Sequence, residues 1–241
     1  MKKFILLFSL LTSICCAQPI EFVVSASPGG PNDTVTRKIV ERLEKQTNLN
    51  FVVVNKPGAA HVIGYNYVSN TNKPTLIMST SEIENNEVHS QLEEIYNTGY
   101  FTNYLFVSKK SGIKNLNDLI DLSKQREINF GHGGIGTYSH SAMETICKKT
   151  IRCLSVPFKS GAEGMISLLN GTIDAYALVS YGSKQFSENE NYTVIHNIRL
   201  SKEKSWFKVF GKNLHEKDKQ IISSVLKSTE SKFFTDIGFE R

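Results

Sequence analysis

The sequence predicts an α/β protein built as two lobes, and three observations carry that expectation. Short apolar, β-rich runs alternate with segments of helical period almost throughout the chain. That rhythm breaks near residue 100 and restarts at Tyr104. A late strand candidate, SWFKVF, then stands beyond the second set of elements and suits a return to the first.

In the first lobe, EFVVSA is a strand candidate, and Val35, Ile39, Val40 and Leu43 then recur at three- and four-residue intervals on a helix. FVVVN (51–55) is a second strand, followed by KPGAAHVIG and a short helical pattern through Tyr65 and Val68. TLIMST (75–80) is a third, and the acidic stretch SEIENNEVHSQLEEIY after it reads as helix. Strand followed by helix, repeated, implies a parallel sheet with helices on both faces.

In the second lobe, YLFVSKK leads to a helix over 117–124, capped near Asn115 or Asn117. INFGHGG precedes a helix from about Ser139 to Lys148, and RCLSVPF follows. GAEGMISLLNG reads as a helix with Ala162, Met165, Ile166 and Leu169 on one face, before the strands TIDAYALVS and YTVIHNI. HEKDKQIISSVLKSTESKFF closes the chain as a helix whose apolar side carries Ile221, Ile222, Val225 and Leu226. The expected boundaries are 18–103 with 201–241 for one lobe and 104–200 for the other. Two crossings, near 100–104 and 195–201, make a hinge rather than a flexible tether.

The first seventeen residues, MKKFILLFSLLTSICCA, join Lys2 and Lys3 to an apolar run and end on small residues, the layout of a cleavable export signal. Neither Cys15 nor Cys16 follows a Leu-small-small triplet, so a lipoprotein is the weaker reading. Without this stretch the formal charge falls by its two lysines, from +5 to +3. The lysines are scattered with no basic block, which argues against a nucleic-acid partner. No later run reaches the roughly 18 apolar residues of a membrane span. Export permits disulfides, and Cys147 and Cys153 in CKKTIRC suit one that pins a helix end to the next strand. Two buried free thiols are the alternative.

SPGGPNDTVTR (27–37) joins the first strand to the first helix. Gly29 and Gly30 allow close backbone approach, Pro31 suits a first helical turn, and Asn32 or Asp33 can cap it. Such a turn aims unpaired N–H groups and a helix dipole at one point, which suits an anion. NKPGAAH (55–61) is a second turn of this kind, also readable as a type II turn over Lys56-Pro57-Gly58-Ala59. Gly131-x-Gly133-x-x-Gly136 matches a dinucleotide fingerprint in form only. The acidic residue that an NAD site needs about 20 positions on is absent, for that region reads SVPFKS. Thr137, Ser139 and His140 can still donate hydrogen bonds at the helix start. No nucleophile elbow or His-Glu-x-x-His motif is present, and no cofactor or metal is expected. Asp174 either faces the cleft or marks a strand entry.

Taken together, SPGGPNDTVTR, VVVNKPGAAHVIG, INFGHGGIGTYSHSAMET, VPFKSGAEGMISLLNGTIDA and the lone Trp206 resemble the tripartite tricarboxylate transporter substrate-binding proteins, the Bug or TctC family, over about residues 20–210. The resemblance implies a type II periplasmic-binding-protein fold whose two lobes close on a carboxylate in the periplasm. It also implies membrane permease subunits as partners. Carried onto this chain, Pro28, Gly29 and Gly30 hold one carboxylate from the first lobe, while Gly136, Thr137, Ser160 and Gly161 contact it from the second. Asp33 either caps its helix or meets an amino group of the ligand. Ser27, Ala59, Ser81, His140 and Asp174 complete the candidate set, and a monomer is expected. A receptor that feeds a sensor is one alternative. An exported carboxylate-processing enzyme is another, and it needs Asp33, His140 or Asp174 as its base.

Overall fold

The computed structural model describes residues 18–59, 61–80, 91–148, 150–200, 206–229 and 231–239. The expected export signal and Ser81 lie outside those residues. The elements run β1 (Ile20–Val24), α1 (Pro31–Gln46), β2 (Phe51–Asn55), α2 (Val62–Asn70), β3 (Thr75–Thr80), β4 (Glu93–Tyr100) and β5 (Asn103–Ser108). Then follow α3 (Leu116–Gln125), β6 (Ile128–His132), α4 (Tyr138–Cys147), β7 (Cys153–Pro157), α5 (Gly161–Leu169) and β8 (Ala175–Val179). The chain continues with α6 (Lys184–Ser187), β9 (Tyr192–Ile198), β10 (Trp206–Lys212), α7 (Glu216–Ser228) and α8 (Ser231–Asp236).

Two five-stranded sheets result, one ordered β2-β1-β3-β10-β4 and the other β7-β6-β8-β5-β9. Each has a parallel triplet at its heart, β2-β1-β3 and β7-β6-β8, built by the predicted strand-helix alternation. The remaining strands correct the all-parallel expectation. β10 runs antiparallel to β3 and β4, and β5 runs antiparallel to β8 and β9. Both β5 and β10 follow a crossing between the sheets, so no crossover helix precedes them to reset their direction. Of the acidic stretch expected as helix, residues 81–90 lie outside the described residues, and the remainder is corrected: Glu93–Tyr96 opens β4, where Ile95 is buried and Lys208 of β10 pairs with Glu94 at 2.6 Å.

Period-2 alternation separates the cores. Phe22, Leu76 and Val209 face one side with Val35, Ile39 and Leu43 of α1 and Ile222 and Leu226 of α7, whereas Val23, Ile77 and Phe210 face α2. In the second sheet Leu105, Phe130 and Ala177 pack with α4, and Phe106, Tyr176 and Leu178 pack with α5. On α5 the buried face holds Met165 and Leu168, while Ile166, expected to be buried, is 59% exposed. Each fully buried aliphatic chain contributes about 1.5–3 kcal/mol, enough to fix these faces.

Asn115 caps α3, its side-chain oxygen accepting from Asn117 N and Asp118 N at 2.9 and 3.1 Å. The Cys147–Cys153 disulfide ties the end of α4 to the start of β7 across 5.7 Å between Cα atoms. Where the chain crosses between the sheets, Phe101 packs edge-on against Tyr138 and Tyr181 at 4.8 and 4.9 Å. Tyr181 in turn stacks on Phe207 and Phe239 at 4.6 and 5.3 Å. Ser180 N donates to Thr102 O at 2.7 Å, and Ser180 Oγ accepts from Thr102 N and donates to Gly238 O. The crossing is thus a packed, hydrogen-bonded joint, not a tether.

Candidate functional site

Between the sheets lie two adjoining chambers, a narrow one of about 90 Å³ and a wide one of about 570 Å³. Ala26, Ser27, His61, Gly133 and Lys159 border both. Three helices begin at the narrow chamber: α1 at Gly30 to Asn32, α4 at Thr137 to Ser139, and α5 at Ser160 and Gly161. First-turn N–H groups have no intrahelical acceptor, and each helix start carries partial positive charge. Among the described residues no Asp or Glu lines either chamber, and Lys159 is the one Lys or Arg that does. Three positive helix ends and a lysine make a site for an anion.

Side chains inside each turn are spent on holding it. Helix α1 starts at Pro31 with Gly30 as its N-cap, so neither Asn32 nor Asp33 occupies the cap position. Asp33 sits in the first turn, 3% exposed, and reaches backward. Its Oδ2 accepts from Gly29 N at 3.0 Å and from Arg37 Nε at 2.9 Å, and its Oδ1 accepts from Asn55 Nδ2 at 2.9 Å. Asn55 Nδ2 also donates to Ala26 O at 3.1 Å, tying the turn to the end of β2. Burial works to raise the Asp33 pKa, but these three donors together hold it below the usual carboxylate value. Gly29 takes φ +78°, a conformation that glycine alone adopts without strain.

In the opposing turn, Thr137 Oγ1 donates to Gly134 O at 2.7 Å and accepts from His140 N at 3.3 Å. Ser139 Oγ lies 3.0 Å from Thr137 Oγ1 and accepts from Gly133 N at 2.8 Å. With the Thr137 proton committed to Gly134, Ser139 is the donor of that pair, so both hydroxyl protons stay inside the loop. Both hydroxyls border the narrow chamber while hydrogen-bonded within the loop. Ser160 Oγ caps α5 by accepting from Glu163 N at 3.2 Å, and Ser160 and Gly161 border the chamber.

Neighbouring the narrow chamber, the two lobes meet at Pro31. A Cβ placed on Gly182 would lie 2.4 Å from Pro31 O, and one on Gly161 would lie 3.1 Å from Pro31 Cδ.

Of the sequence candidates, Ser27, Gly30, Thr137, Ser160 and Gly161 border the narrow chamber, and Ser27 and Ala59 the wide one. Pro28, Gly29, Asp33, Gly136, His140 and Asp174 border neither. Pro28 and Gly29 shape the turn behind Gly30. His140 packs its ring against His132 at 4.8 Å between centroids, tilted by 55°. Asp174 stands at the far end of β8, where Arg126 binds both its oxygens at 2.6 and 2.8 Å and Asn129 N donates to it at 2.9 Å. It marks the strand entry.

Sequence reasoning missed several lining residues, His61 among them. His61 holds φ +77° after Ala59 at +47°, and its Nδ1 lies 2.9 Å from Ser25 O. Since a carbonyl only accepts, Nδ1 carries the proton and Nε2 is an acceptor in the neutral ring. Burial pushes the His61 pKa down and favours that neutral form. Lys159 and Tyr176 were also missed. Lys159 sat unremarked in the quoted FKSG turn, and only the strand period of AYALV hints that Tyr176 shares a face with Leu178.

A family profile described as "Tripartite tricarboxylate transporter family receptor" matches residues 35–187. A UPF0065 protein of Bordetella pertussis is 21% identical over 202 residues, covering 77% of this chain and 62% of the relative. The protein BugT of the same organism is 25% identical over 66% of this chain and 54% of its own length. The chain therefore spans less than two thirds of these relatives. Among solved structures, a Rhodopseudomonas palustris protein with adipate superposes with TM-score 0.76 at 19% identity, covering 93% of this chain and 88% of that one. A second, with bound malate, gives 0.72 at 16% identity over 92% and 90%. At such identities the likeness establishes the shared fold.

Proposed function

The chain belongs to the tripartite tricarboxylate transporter receptor family, the TctC or Bug solute-binding proteins, and on that premise we propose that it captures a small carboxylate in the periplasm and hands it to the membrane permease subunits of such a transporter. The observation that carries this reading is the convergence of the α1, α4 and α5 N-termini on one chamber that no acidic side chain lines. Adipate and malate in the two structural relatives support a dicarboxylate as the first ligand to test.

The mechanism is capture rather than reaction. One carboxylate group docks on the N–H groups after Gly30 from the first lobe and after Thr137 and Ser160 from the second. Because these donors belong to different lobes, the ligand favours the arrangement in which both reach it, and closure follows from that differential affinity. The working unit is a monomer, since both sets of donors belong to one chain. Among the described residues no helix is long and apolar enough to cross a membrane. The side chains that an enzyme would have needed, Asp33, His140 and Asp174, border neither chamber.

A thermal-shift screen over di- and tricarboxylates, acidic amino acids and aromatic carboxylates tests the proposal. A ligand at about a hundred times its dissociation constant stabilises by roughly 2.7 kcal/mol and raises the unfolding midpoint. If no carboxylate at millimolar concentration shifts the midpoint, while a neutral or cationic solute does, the carboxylate reading is wrong.

A further inference from the structure

Tyr176 is 0% exposed and borders the narrow chamber, yet its hydroxyl has no hydrogen-bond partner among the described residues. An unpaired buried hydroxyl is costly, and most buried side-chain polar atoms are paired. The ring has no freedom to look for a partner elsewhere. It lies between two glycines: a Cβ on Gly131 would fall 2.5 Å from Tyr176 Cδ2, and one on Gly164 would fall 2.1 Å from Cε2. Gly164 stands one helical turn after Gly161, so the phenol is slotted under the first turns of α5, whose N-terminus opens on the same chamber. Burial, and secondarily the Glu163 charge, push the Tyr176 pKa up, so the group stays an O–H donor.

We propose that the Tyr176 hydroxyl donates a hydrogen bond to a carboxylate oxygen of the captured ligand, which makes Tyr176 a specificity-determining residue of the cleft. This rests on the carboxylate reading above. A fixed donor under a positively polarised helix end favours solutes that carry an acceptor at that depth and rejects those that leave it unpaired. Tyr192 of β9 supplies the contrast against the same helix, since its hydroxyl already donates to Met165 O of α5 at 3.1 Å.

The test compares wild type, Tyr176→Phe and Tyr192→Phe by thermal unfolding without ligand and by titration calorimetry with succinate, malate and adipate. Tyr176→Phe should unfold at the wild-type midpoint or above it, because it removes a group with nothing to bond. Its affinity for the best probe should fall roughly 10- to 150-fold, the loss expected for a hydrogen bond to a charged group. Tyr192→Phe should lower the midpoint and leave the affinity unchanged. Tyr176→Phe binding within twofold of wild type overturns the assignment. So does an unliganded midpoint below wild type, which means that the hydroxyl has a partner inside the protein. If wild type binds none of the probes, the carboxylate reading fails first, and the role of Tyr176 falls with it.

Discussion

Replacing Asp33 with alanine separates the two roles open to that residue, holding a turn or reading a ligand. The change removes the acceptor for three donors at 2.9 to 3.0 Å. Hydrogen bonds from Gly29 N–H and the Asn55 amide to an ionised, buried carboxylate contribute about 1.5 kcal/mol each, taking the lower end of the range for a charged acceptor. The Arg37 pair adds less than about 1 kcal/mol, because the Arg37 side chain is 52% exposed and water replaces the carboxylate. The expected loss is therefore about 3 kcal/mol, read as a lower midpoint in urea at neutral pH. The sign with pH follows from the depressed pKa of Asp33. Its contribution is present above its ordinary value of 3.8 and is lost as pH falls through the lower, folded-state value, so wild type and variant should converge in acid. Affinity should weaken by a similar factor for every carboxylate, since the variant loosens the turn that carries Gly30 and leaves the ligand's own contacts alone. A variant as stable as wild type within about 0.5 kcal/mol, with altered preference among ligands, would refute this account and make Asp33 a ligand contact.

Gly30→Val should keep the fold, since its φ of −79° suits any residue and a Cβ there meets only Ser27 O at 3.5 Å, yet abolish binding by filling the chamber; unchanged affinity in calorimetry rejects the anion cradle. Reducing the Cys147–Cys153 disulfide, or replacing both cysteines with serine, should cost about 2 kcal/mol for so short a loop. Denaturation with and without reductant reads that loss, and ready alkylation of the native protein would contradict the bond. His132 accepts from Gly134 N through Nδ1, lies 2.8 Å from Ser155 Oγ through Nε2, and is held by burial below its ordinary pKa of 6.5. Its contribution to stability is full above about 6.5 and falls as pH drops below that value, so the urea midpoint should decline from pH 7.5 to pH 5.5. His132→Gln should flatten that decline.

What the sequence displayed, and what it hid, divides along physical lines. Local signals were legible: the 3.6-residue spacing of Val35, Ile39 and Leu43, the Asn115 cap, and the glycine turns at strand ends all rest on interactions within a few residues. Strand direction was not, because β5 and β10 owe their antiparallel pairing to partners 72 and 127 residues away, as in the Leu105↔Ala177 and Phe207↔Thr80 pairs. Glu93–Tyr96 read as helix because its glutamates are good helix formers, and the antiparallel ladder with the distant β10, with Lys208 against Glu94, favours the strand. At the site the loops were visible as backbone geometry, which glycine and proline announce. The side chains were not: Asp33 points back to Gly29, Asp174 is claimed by Arg126 48 residues away, and Tyr176 gains its meaning from Gly131 and Gly164.

The meeting of Pro31 with Gly182 has a consequence for how long a captive stays. Gly182 does not border either chamber, but a single carbon atom there would collide with the Pro31 backbone and keep the lobes from meeting. The gap left at closure is thus set by a hydrogen atom in place of a methyl group. On the proposed capture mechanism, a side chain at that position would act as a doorstop: solute still enters, but the donors of the two lobes no longer reach it together and escape speeds up. On that mechanism dwell time depends on this seam as well as on the groups that recognise the solute.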